Sequence, residues 1–323
     1  MNQKGMNRMN KKIIAIIITI FTMSILASCA AEETDGEAKN PDDAITLGTF
    51  VDTEGGILGN MLLLALEDEG YLIEDKVQFG TPDVHRNALL QGELDMGVDY
   101  TGNGQFYSEG IEEDVWRDKD AGYDAIKTYD EENNDLIWMK PANANNTEAL
   151  AVKREFAEAN SLTTMEDFAD YVNGGGEVKL ITSQLFAEKE SGLLGMESGY
   201  GFKLEPDQMI LLPHGNTAET LKALSNGTDG VNVALAYGTD GSLADLDLVL
   251  LEDILSIPPV YEPSAIIRKE VLDKYPEVQE IVESIFGLLD KENLQQMNKE
   301  VIVDGLSPRD VAETFLKENG ILE

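Results

Sequence analysis

With 24 Lys and Arg against 61 Asp and Glu in 323 residues, the chain has a formal charge of −37, and such a polyanion gains nothing by approaching nucleic acid or an anionic lipid surface. Its single cysteine, Cys29, excludes a disulfide framework and a thiolate-bound metal. The length suffices for two ordinary domains or one large α/β unit, and the acidity reads as a solvated surface with only a weak preference for cationic or zwitterionic ligands.

At the start, Lys4, Arg8, Lys11 and Lys12 precede the apolar run IIAIIITIFTMSILA. That run is shorter than the ~20 residues a membrane span needs and has the make-up of a secretory signal. It ends in LASC, Leu26 to Cys29, which resembles the lipobox of bacterial lipoproteins, where the cysteine is acylated and becomes the first residue. Residues 1–28 are therefore expected to be a lipoprotein signal peptide; removing them takes away four basic and no acidic residues, so the formal charge moves to −41. Residues 29–43 are small, acidic and aperiodic, the composition of a flexible tether. Acylation at Cys29 would hold the protein on the extracytoplasmic face of the cell membrane, since two or more acyl chains anchor firmly.

The folded body begins at Ala44. AITLGTF reads as a strand, and GGILGNMLLLALEDEG as a helix capped by Thr53 or Asp52. Strand KVQFG, helix PDVHRNALLQGE and strand DMGVDY follow, ending on Tyr100. The same order returns later as strand MILL, helix NTAETLKALSNG and strand VNVALAYG, which closes on Tyr237. Alternating β and α elements imply an α/β fold with helix-covered parallel or mixed sheets. Two such units imply two lobes whose strand ends face a cleft, where ligands of open α/β sheets bind; chance likeness between two βαβ stretches is the alternative. The tail, PSAIIRKEVLDKY, PEVQEIVESIFGLLDKENLQQMNKEVI and SPRDVAETFLKENG, reads as helical and stops at Gly320.

Little in the sequence points to catalysis. His85 and His214 are the only histidines; neither has a partner at metal-binding spacing, and both read as surface or capping residues. There is no Gly-x-Ser-x-Gly elbow and no Walker loop. NGGGE reads as a plain turn, and AYGTDGSLADLDL as a strand end and turn without EF-hand spacing. No cofactor, no metal and no enzymatic activity are expected; the contrary reading, a secreted hydrolase, needs a carboxylate pair of separated acidities that no motif singles out. Tyr100, Tyr237 and Tyr261 each end a strand-like segment or sit beside Gly or Pro, where rings point into an opening. Several aromatic faces around one volume attract a quaternary ammonium.

VDTEGGILGN, GELDMGVDYTGNGQF, PANANNTEALAV, AYGTDG and VIVDGLSPRDVAETFLKENG together resemble the osmoprotectant-binding subunits of ABC importers, in particular the YehZ-type glycine betaine-binding proteins. The resemblance implies a type II periplasmic-binding fold: lobe 1 from 44–146, lobe 2 from 147–246, and a return to lobe 1 with C-terminal helices over 247–323. It also implies a monomer that binds glycine betaine or choline and delivers it to membrane permease subunits. The family cage falls on Tyr100, Tyr237 and Tyr261, a polar ligand contact on Asn103, and a basic residue on Lys189. Two positions depart from the family: Glu148 stands where an aromatic ring generally follows NNT, and Phe50 where many members carry lysine. Three rings at ~1 kcal/mol each supply about 3 kcal/mol, whereas a millimolar Kd needs about 4. Glu148 is therefore expected either to draw choline-like cations at the expense of glycine betaine, or to point to solvent. The alternative function is a same-fold protein for another small cation or an amino acid.

Overall fold

The computed structural model describes residues 44–213 and 217–323. The expected signal peptide, Cys29, the tether and His214 lie outside the described residues. In chain order come strand β1 (Ile45–Phe50), helix α1 (Thr53–Asp68), β2 (Ile73–Gly80), α2 (Pro82–Gln91), β3 (Met96–Tyr100), α3 (Lys119–Asn133) and β4 (Leu136–Trp138). After them come β5 (Glu148–Lys153), α4 (Met165–Asn173), β6 (Leu180–Ser183), β7 (Met209–Leu212), α5 (Thr217–Asn226), β8 (Val233–Tyr237) and β9 (Leu248–Leu250). The chain closes with β10 (Pro263–Arg268), α6 (Glu277–Phe286), α7 (Lys291–Ile302) and α8 (Pro308–Glu318). Helix α1 starts where Asp52 takes the Gly55 N–H at 2.6 Å, satisfying one of the donors that a helix N-terminus leaves over.

The two sheets have one topology. The first runs β2-β1-β3-β10-β4 and the second β7-β6-β8-β5-β9. In each, the first three strands are parallel and the last three pair antiparallel. β1, β2 and β3 thus correspond to β6, β7 and β8, so the loose repeat in the sequence is a repeat of architecture. β5 and β10 each enter a sheet from the other lobe, and the chain crosses twice, over 139–147 and 251–262. Because β9 pairs with β5, the second sheet continues to Leu250, past the boundary expected at 246. The apolar face of α1 (Ile57, Leu58, Met61, Leu62) packs in one core with Val278 and Phe286 of α6 and with Val311 and Leu316 of α8, so the C-terminal helices belong to the first lobe. Among the described residues, no helix is long and apolar enough to cross a membrane.

Three expectations need correction. PSAIIR is the strand β10, not the start of a helix. Its apolar run is buried between β3 and β4, where the period does not distinguish strand from helix and the paired isoleucines suit the sheet. The long helical tail breaks after Gly287, and Asp290 opens α7 with a capping box to Asn293. His85, read as surface or capping, is buried: its Nε2 lies 3.0 Å from the Gly48 carbonyl, and burial lowers its pKa to about 4. Glycine at 97 makes room for the ring, since a Cβ there would stand 2.1 Å from Nε2.

Candidate functional site

β3 and β8 occupy equivalent places in the two sheets and end in Tyr100 and Tyr237. Each tyrosine is followed by a glycine that lets a crossing segment close in. A Cβ on Gly102 would stand 2.7 Å from the Val260 carbonyl oxygen and 2.8 Å from the Tyr261 ring; one on Gly238 would stand 2.0 Å from the Asn145 carbonyl oxygen. The crossings are also bonded to each other: Asn146 N donates to the Tyr261 carbonyl, and Tyr261 N to Asn145 Oδ1, both at 2.9 Å. Gly238→Val is expected to displace the first crossing and cost about 1–3 kcal/mol. Thermal unfolding of the variant checks this, and an unchanged midpoint would show that the approach is not constrained.

Between these strand ends lies a cavity of about 610 Å³, within the range of small-molecule sites. Tyr100, Asp52 and Glu54 line it from the first lobe, Tyr237, Thr239 and Asp240 from the second, with Asn146 of the crossing and Asn298 of α7. Three carboxylates and no Lys or Arg line it among the described residues. Glu54, buried in the first turn of α1, accepts from Tyr100 Oη at 2.7 Å, Asn298 Nδ2 at 2.7 Å and Asn146 Nδ2 at 3.3 Å. Asn298 Nδ2 also donates to the Thr239 carbonyl at 2.9 Å, so one side chain links Glu54 to the second lobe. Burial raises the Glu54 pKa, and the Thr239, Tyr100 and Asn298 hydrogen bonds oppose that rise. Asp240 accepts from Tyr237 N and the Thr217 hydroxyl. Burial raises its pKa against those two bonds.

Of the residues expected in the site, Tyr100 and Tyr237 line this cavity. Tyr261 lies on the second crossing, and its hydroxyl accepts from Gln105 Nε2 at 2.8 Å. Burial first, and then the charge of Glu148, raises the pKa of Tyr237 and of Tyr261. Both rings therefore stay neutral phenols with electron-rich faces. Glu148 faces Tyr237 across the β5–β8 pair. It does not point to solvent: it is buried and forms an ion pair with Lys189 at 2.5 Å. Asn103 is not among the residues lining the cavity and donates to Asp99 at 2.6 Å; burial brings the Asp99 pKa to about 6 against that bond and those from Tyr100 N and Tyr107. Phe50 backs the Tyr100 ring at 6.0 Å between centroids and packs edge-on to His85.

Sequence reasoning did not single out Glu54, Asn146, Thr239 or Asn298. Glu54, Asn146 and Thr239 stand inside the motifs that carry the family resemblance. Asn298 had no local signal, because its partners lie far away in the chain: Glu54 is 244 positions off.

The chain matches the family described as the substrate binding domain of ABC-type glycine betaine transport systems over residues 43–318. It is 42% identical over 276 residues to the glycine betaine-binding protein YehZ of Escherichia coli, covering 85% of this chain and 90% of that one. It is 29% identical over 323 residues to the carnitine transport binding protein OpuCC of Listeria monocytogenes, covering 98% and 99%. The solved apo structure of Escherichia coli YehZ superposes with a TM-score of 0.77 at 42% identity, covering 86% of this chain and 99% of that one.

Proposed function

The chain belongs to the family of substrate-binding domains of ABC-type glycine betaine transport systems, and from that premise we propose that its ligand is a quaternary-ammonium osmolyte such as glycine betaine or choline, held between the two lobes. Substrate-binding subunits of ABC importers work outside the cytoplasm, binding a solute and passing it to the permease without transforming it. The observation that carries the ligand assignment is that Tyr100 and Tyr237, from opposite lobes, line one anionic cavity. Ring faces attract a diffuse methylated cation that water solvates poorly, and the carboxylates add to the field. Tyr261 and the Lys189–Glu148 pair stand beside this cage. Closure by hinge motion at the two crossings then presents a liganded form to the permease. Acylated Cys29 is the proposed anchor, and a monomer the proposed state.

Tyr237→Ala tests the reading. If the ring faces the cation, calorimetric titration with glycine betaine or choline should show binding weaker by about 1–2 kcal/mol. An unaltered Kd would remove Tyr237 from the site and contradict the assignment.

A further inference from the structure

Resting on the ligand class above, we propose that Glu54 is the counter-ion of the bound ammonium and the residue that selects a fully methylated nitrogen over one that still carries N–H groups. Its carboxylate is buried at the wall of the cavity and already receives side-chain hydrogen bonds from Tyr100, Asn298, Asn146 and Thr239. All of these donors are neutral, and no cationic side chain is paired with it among the described residues. The site therefore has hydrogen bonds in place and a charge still unmatched. A primary ammonium would have to displace those donors or leave its own N–H groups unsatisfied, either of which is costly in a buried site. A trimethylammonium group brings the charge and asks for no acceptor.

The amide oxygens support the same reading. Asn146 Oδ1 and Asn298 Oδ1 are buried without a donor among the described residues, because both amide nitrogens are turned to the carboxylate. Both oxygens are enclosed and do not reach the cavity surface, so neither offers an acceptor to the N–H groups of a primary ammonium.

The other groups facing Glu54 do not neutralise it. Asp52 on the same helix and Asp240 of the second lobe are both carboxylates, and Tyr100 and Tyr237 are phenols. Asp52 and Asp240 accept backbone N–H bonds at a helix start and a strand end, so each has a local structural partner. Burial raises the Glu54 pKa. Its proton uptake should therefore begin above the ordinary carboxylate range, and cation affinity should fall as pH drops through that uptake.

The test is calorimetric titration of wild type and Glu54→Gln with choline, glycine betaine and ethanolamine at pH 7.5, together with a choline series down to pH 4.5. Wild type should bind the two methylated ligands and prefer choline to ethanolamine. Glu54→Gln should bind choline about 30-fold or more weakly, the usual loss when one partner of a buried charge pair is removed, and its remaining choline affinity should fall less with pH than that of wild type. A folded Glu54→Gln with a choline Kd within about twofold of wild type overturns the proposal while leaving the ligand class intact. A wild type that binds neither methylated ligand overturns the ligand class itself, and this inference with it. Should Glu54→Gln fail to fold, the choline series on the Asp52→Asn, Asp240→Asn double variant decides, since burial raises the pKa of those two carboxylates as well: a fall in affinity with pH that persists there supports the role, and a flat profile to pH 4.5 overturns it.

Discussion

Replacing Asp130 with alanine should lower the stability of the protein by about 3–5 kcal/mol, the cost of stranding one half of a buried ion pair. Asp130 on α3 is wholly buried and accepts from Arg86 Nη1 at 2.7 Å and Nη2 at 2.5 Å, from Trp138 Nε1 at 2.6 Å and from Asn134 at 2.7 Å. Removing it leaves a guanidinium and an indole N–H in an apolar setting with nothing to receive them. The effect should also reach the ligand site. Arg86 lies 4.4 Å over the Tyr107 ring, the Tyr107 hydroxyl donates to Asp99 at 2.9 Å, and Asp99 directly precedes Tyr100. Urea unfolding gives the stability, and a midpoint equal to wild type would show that the pair is idle.

The second large effect concerns Lys189 and Glu148. Their side chains are 25% and 10% exposed, enough burial for removal of one partner to cost about 2–5 kcal/mol. The two single variants should also move ligand preference in opposite directions. Lys189→Met leaves the Glu148 carboxylate without its cation, which favours choline and repels the carboxylate of glycine betaine. Glu148→Gln leaves Lys189 without its anion and favours glycine betaine. For charges about 8 Å apart in an effective dielectric near 20, each shift is of order 2 kcal/mol. Parallel titrations of both ligands into both variants read the result; a shift of the same sign in both variants contradicts the electrostatic origin. In the wild type the ion pair with Lys189 should offset the drift toward choline expected from Glu148 alone.

Much of the architecture was legible because strand and helix periods differ and turn residues punctuate them. β1 to β3, β7 and β8 follow from that alternation, and the shared strand–helix–strand order of β2 to β3 and β7 to β8 was visible as two runs ending in tyrosine, whereas β6 was not read. β10 was not legible: PSAIIR has no polar face to set its period, and only its neighbours β3 and β4 make it a strand. The ring-bearing half of the site was readable because Tyr100 and Tyr237 stand at strand ends beside glycines. The carboxylate half was not. Glu54 owes its environment to Tyr100, Asn146 and Asn298, which lie 46, 92 and 244 positions away, and no local pattern announces contacts of that range. The Asn103 side chain was legible only as part of a turn, because the buried Asp99 that takes its amide is revealed by the fold alone.

The most direct test of the account is a crystal structure of the protein grown with saturating glycine betaine. The trimethylammonium group should lie between the Tyr100 and Tyr237 rings, with its methyl groups toward the Glu54 carboxylate. Glycine betaine bound anywhere else, or absent from the interlobe cavity while both rings keep their places in its wall, would contradict it.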